Sequence, residues 1–104
     1  MNPDDCQNMA DIRREIDAID HQVIQLLGKR KAYVRAASKF KTSASNVKAP
    51  ERLKTMLVQR RSWAEAAELD PDVIEKLYQD LVNYFIATEM KEWQSNSSVE
   101  DTAN

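Results

Sequence analysis

Residues 10–41 read ADIRREIDAIDHQVIQLLGKRKAYVRAASKFK, and apolar side chains recur through them at helical spacing. Ile12, Ile16, Ile19, Val23 and Leu26 form the stripe, followed by Tyr33 and Ala37. The next place on it after Leu26 belongs to Arg30, and the stripe ends on Lys41. At about 100° per residue, eleven residues return to within roughly 20° of the start, so a continuous helix would put Arg30 and Lys41 on one meridian. Their Cα atoms would stand about 16 Å apart, close enough for two long side chains to converge on something between them. Arg13 would point about 100° away from that meridian. Cations on a packing face need partners, because a buried unpaired charge is too costly to keep. Either the chain's own carboxylates or an anionic ligand must supply them.

Working outward, the first helix is expected to begin between Asp5 and Met9 and to run to Phe40 or Lys41. Gly28 is its one weak point, either allowing close backbone packing, which is the favoured reading, or merely tolerated. Thr42 to Lys48 (TSASNVK) reads as a polar loop. Pro50 opens a second helix at a position where its missing N–H does no harm. That helix runs to about Leu69, with Leu53, Met56, Leu57, Trp63, Ala64 and Ala67 on its inner face. Asp70-Pro71 supplies a cap and a first-turn proline for a third helix burying Ile74, Leu77, Leu81, Phe85 and Trp93. The pattern fades after Gln94. The expectation is an all-α chain with one helical domain over 1–94 and a disordered tail over 95–104, since SNSSVEDTAN is polar and aperiodic. A first helix of about 32 residues would be about 48 Å long, against a radius of gyration near 13 Å for a globule of this size. A second copy covering the stripe, as an intertwined homodimer of three-helix subunits, is the economical solution. Arg13 could then serve the partner's site.

Composition excludes several function classes. The net charge of −2 provides no basic field for nucleic acid. No apolar run approaches the roughly 20 residues of a membrane span, and no basic-then-apolar leader precedes the helix, so the cytoplasm is expected. The single cysteine, Cys6, cannot form an internal disulfide, and the single histidine, His21, lies between Asp20 and Gln22 on the wet side of the helix. Metal-ligand spacings, glycine-rich phosphate loops and serine–histidine pairings are all missing, so neither metal nor cofactor is expected. What remains is a set of inward cations, Arg13, Arg30, Lys41 and Arg52. Surface salt bridges with the 17 acidic residues could account for any one of them. That reading is weakest for Arg30, whose helical neighbours Leu26, Leu27, Tyr33 and Val34 include no acid. A small polyanionic ligand is the better partner for the set, and arginine suits a carboxylate because its planar fork makes two parallel hydrogen bonds. Glu89 projects among Val82, Phe85, Ile86 and Trp93. It could pair with Lys41, or burial could keep it neutral as a donor to a substrate oxygen.

These residues together resemble the all-helical chorismate mutase family, and its isochorismate pyruvate lyase branch in particular. The resemblance rests on Arg13, R-x-x-Y-V at 30–34, Lys41, E-R at 51–52 and a polar residue at 89. The stretches from Asp4 to Arg13, YVRAASKFK (33–41) and APER (49–52) carry the likeness to the lyases. It spans about residues 4–93. The resemblance implies a cofactor-free pericyclic enzyme in an intertwined dimer. Arg30 and the other subunit's Arg13 would bind substrate carboxylates, Arg52 would join them, and Lys41 and Glu89 would act at the ether oxygen. Two departures bear on the activity. Mutases of this fold carry a glutamate after the arginine matching Arg52, where it holds the C4 hydroxyl of chorismate. Here the position is Leu53, which suits isochorismate, whose hydroxyl is at C2. Bacterial members usually have glutamine where this chain has Glu89, although some fungal mutases have glutamate. A plain chorismate mutase is the alternative reading, and a non-catalytic helical dimerisation module is a further one.

Overall fold

The computed structural model describes the backbone of residues 2–103 and the side chains of residues 2–95. Among the described residues every regular element is helical. They are α1 (Met9–Ala37), α2 (Ala44–Lys48), α3 (Pro50–Ala66) and α4 (Pro71–Ala103), with short 3-10 turns at Pro3–Asp5 and Ser38–Phe40. The chain divides into two compact units, Met1–Tyr33 and Val34–Asn104.

In the first unit Asn8 caps α1. Its side-chain oxygen accepts the Asp11 amide at 2.9 Å, and the Asp11 carboxylate accepts the Gln7 amide at 3.1 Å. The first bond occupies a backbone donor that the first turn leaves open and the second ties the preceding residue to it, so the helix starts at Met9, the late edge of the expected window. The apolar stripe keeps its spacing but lies open, with Ile16 50%, Ile19 57% and Leu26 63% exposed. A Cβ added at Gly28 would meet nothing described within 4 Å, so close packing inside the chain is not what Gly28 is for.

The second unit is built on α4, which packs against α3, against α2 and against the 3-10 turn Ser38–Phe40. Val47, Met56, Ala64, Val82 and Phe85 form its buried apolar centre, with Ser38 and Glu89 as buried polar members. On α3 the row facing inward is Met56, Arg60 and Ala64, spaced one turn apart. Trp63 lies about 100° round from Ala64 and is 54% exposed, so its expected place in the core is corrected. Instead the Arg60 guanidinium stacks 4.6 Å from the Trp63 ring centroid and 5.7 Å from that of Tyr78, bridging α3 to α4. Leu77 is likewise exposed rather than buried. Helix α3 ends earlier than expected because Glu68 takes the left-handed conformation, φ 61°, usually left to glycine. The Leu69 amide then reaches back to the Ala64 carbonyl at 2.8 Å and the Glu68 amide to that of Glu65 at 3.1 Å, closing the helix. Asp70 starts α4 as expected, its carboxylate accepting the Asp72 amide at 2.9 Å.

Two expectations about the chain's polar stretches are corrected. The segment read as a loop over 42–48 contains α2. The Ser43 hydroxyl caps it by accepting the Asn46 amide at 3.2 Å, and Val47, 3% exposed, anchors it in the core. The helix of the second unit also does not fade after Gln94, because α4 continues to Ala103 through most of the segment expected to be a tail. Asn104 lies outside the described residues. Met56 fills the contact between α3 and α4, and Met56→Ala should lower unfolding free energy by about 2–5 kcal/mol. A urea midpoint unchanged from the parent would show that this row does not hold the pair.

Candidate active site

Three of the five residues singled out by the sequence belong to the second unit: Lys41, Arg52 and Glu89. The other two belong to the first unit, where Arg13 is exposed and Arg30 is half-buried. Lys41 is placed by the way α1 stops. The Ser38 hydroxyl donates to the Arg35 carbonyl at 2.6 Å, the chain tightens into a 3-10 turn, and the Lys41 amide closes it on the Ser38 carbonyl at 3.3 Å. Lys41 itself has extended backbone, φ −88° and ψ 136°. The expected meridian shared by Arg30 and Lys41 on one unbroken helix is therefore corrected, because Lys41 follows the helix instead of lying on it.

Lys41 and Arg52 line one cavity of about 500 Å³, together with Phe40, Ser45, Asn46 and Glu51. The size falls in the range that holds a small metabolite. Helix α2 and the first turn of α3 form its walls. They are joined at Ala49, whose left-handed backbone (φ 39°, ψ 63°) turns the chain from one helix into the next. The lining thus carries two cations and the Glu51 carboxylate, with amide and hydroxyl groups beside them, and the cations and polar donors suit a carboxylate.

Glu89 is 8% exposed on the inner face of α4, and its Oε1 has no hydrogen-bond partner among the described residues. Burial raises its pKa above the ordinary carboxyl range, and the Lys41 charge opposes that rise. No ion pair joins the two among the described residues, so Lys41 moderates the effect without neutralising the carboxyl. Burial thereby shifts the balance toward the neutral acid, and a neutral acid can donate a hydrogen bond. One turn further along α4, the Trp93 indole N–H donates to the Lys41 carbonyl at 3.1 Å, and beside it Glu92 pairs with Arg35 at 3.3 Å. The sequence placed Trp93 only among core residues and did not single out Arg35. The one available signal was that Trp93 stands four residues after Glu89, on the same face of the helix.

Comparison with known proteins places the chain in a family. Residues 12–90 match the model of the chorismate mutase type II family. The chain is 45% identical over 92 residues to the isochorismate pyruvate lyase of Pseudomonas aeruginosa, covering 88% of this chain and 91% of that protein. It is 37% identical over 82 residues to the T-protein of Haemophilus influenzae, covering 78% of this chain but only 22% of that longer protein.

The raised Glu89 pKa makes a stability prediction with a definite sign. The folded chain holds this proton more tightly than the unfolded chain does. Its contribution is fully present below the ordinary carboxyl range and is lost as pH rises through the raised value. Glu89→Gln cannot lose that proton. Urea unfolding of both proteins at about pH 4 and about pH 8 should show the variant gaining relative to the parent at the higher pH. A stability difference that stays constant with pH would mean the carboxyl is not held in its neutral form.

Proposed function

The chain belongs to the chorismate mutase type II family, and from that premise we propose that it is an isochorismate pyruvate lyase, converting isochorismate to salicylate and pyruvate. The observation that carries the choice is the 45% identity, across nearly the whole of both chains, to a protein bearing that name. Leu53 agrees with it, since an apolar side chain after Arg52 offers nothing to a C4 hydroxyl. Weak chorismate mutase activity is expected alongside.

In this reading Arg30, with Arg13 from a second copy, holds the substrate's two carboxylates, and Arg52 at the cavity wall joins them. The bound dianion is folded into the geometry in which its own atoms react. The carbon–oxygen bond to the ring breaks, a ring hydrogen passes to the methylene of the departing enolpyruvyl group, and the ring becomes aromatic. Atoms balance with no external acid, base or electron carrier. The protein's part is positioning and stabilisation of the negative charge that grows on the ether oxygen. Lys41 and neutral Glu89 donate to that oxygen. The need for a second copy is supported by the open stripe on α1, since contiguous apolar surface of that extent marks an interface. Among the described residues no helix is long and apolar enough to cross a membrane, and a cytoplasmic homodimer acting on a small dicarboxylate completes the proposal.

Purified protein given isochorismate should release salicylate and pyruvate, and given chorismate should form prephenate more slowly. Faster turnover of chorismate would make the mutase reading the better one. Lys41→Ala should chiefly lower kcat, because its bond to the ether oxygen strengthens in the transition state. A rise in KM with kcat intact would remove that role. For the shared site, inactive Arg13→Ala and Arg30→Ala proteins should regain activity when unfolded and refolded together, since a mixed dimer puts both lesions in one site. Proven heterodimers without activity would mean that Arg13 does not serve the other copy.

A further inference from the structure

Lys41 is the most important cation of the proposed site and the least well anchored by its own segment. It follows a 3-10 turn, precedes the cap of α2 and has extended backbone, so its carbonyl belongs to no helical ladder. A backbone carbonyl removed from water needs a donor from elsewhere. The donor here is the indole of Trp93, 52 residues away, at 3.1 Å. Tryptophan is suited to this, because a half-buried ring fixed by packing presents a single N–H in a set direction. The neighbouring tie between Arg35 and Glu92 fastens the end of α1 to the same turn of α4. Glu89 lies one turn before Trp93 on that helix. One helical turn therefore carries both the carboxyl that responds to the Lys41 charge and the ring that holds the Lys41 backbone.

We infer that Trp93 is a positioning residue: by holding the Lys41 carbonyl, its indole N–H sets where the Lys41 ammonium stands relative to Glu89 and the cavity. The inference rests on the role proposed for Lys41, and it goes beyond that role by locating what fixes the lysine. Trp93 does not touch substrate in this account. Its removal should act on the rate and not on binding, because substrate carboxylates are held by arginines on other segments.

Trp93→Phe keeps the ring and deletes the donor. It should lower kcat on isochorismate about tenfold or more while KM stays within about twofold, the pattern of a misplaced group that acts in the transition state. Combined with Lys41→Ala, it should cause no loss beyond that of Lys41→Ala alone, because the two changes disable one element. Losses that multiply in the double variant, or an unchanged kcat in Trp93→Phe where Lys41→Ala is impaired, would overturn the inference. Full activity of Lys41→Ala would instead overturn the proposed role of Lys41, and the inference with it. A second measurement does not require the Phe variant to fold. The Trp93 indole N–H, assigned against Trp63→Phe, should exchange slowly with solvent in the parent protein. It should stay protected in Lys41→Ala, because its acceptor is a backbone atom. Rapid exchange in the parent would show that the bond does not hold.

Discussion

A carboxyl group buried on the inner face of α4, with one oxygen unbonded, is the constraint around which the second unit is organised. Ionised and unpaired at that depth, Glu89 would cost several kcal/mol. Neutral, with one acceptor unsatisfied, it costs about 1–3 kcal/mol. The difference favours the protonated acid, unless a cation closes on it. Lys41 is near enough to oppose the shift but forms no ion pair with Glu89 among the described residues. Val82 and Phe85 are buried on the same helix, and the segment at the end of α1 is joined to α4 by the Arg35–Glu92 pair and the Trp93–Lys41 bond.

That constraint was partly legible in the sequence, and the reasons for the partial success are physical. Glu89 could be found because an acid amid Val82, Phe85, Ile86 and Trp93 at helical spacing must point inward. Helix starts could be found because Pro50 and Asp70-Pro71 act locally, through a missing donor and a side-chain cap. The end of α3 could not, since its left-handed closing residue is Glu68 and no glycine marks it. Helix α2 was hidden in a polar stretch because its stability comes from one cap, Ser43, and one long-range anchor, Val47. Neither leaves a period in five residues. The position of Lys41 was misjudged for a related reason. A 3-10 turn closed by Ser38 halts α1 within what reads as an unbroken helical pattern.

Side-chain pairing was the least legible feature. Arg35 and Glu92 are 57 residues apart, and Trp93 and Lys41 are 52 apart. Nothing in either local pattern announces the other partner, because each is chosen by how α4 packs on the turn after α1. The same packing set aside the expected burial of Trp63. The inward row of α3 passes through Arg60, whose apolar stem fills the space and whose guanidinium carries Trp63 and Tyr78 on its faces.

Leu53 and Glu89 bear on specificity from opposite directions. In the proposed site, an apolar residue after Arg52 would withdraw an acceptor and so penalise a substrate whose hydroxyl is stranded there, a discrimination that buried polar groups make large. In the proposed site a protonated carboxyl at 89 would add a donor, one present only while Lys41 does not pair with it. Were Lys41 to move into contact, the carboxyl would ionise, the pair would neutralise itself, and both donors to the ether oxygen would be lost together. A hold on the lysine backbone by Trp93, as inferred above, would oppose that collapse while leaving the side chain free to meet a substrate. On that proposal, a chain with cations and one uncharged acid would lower a pericyclic barrier without a nucleophile, provided that the distance between those two groups is fixed by α4 rather than by their own attraction.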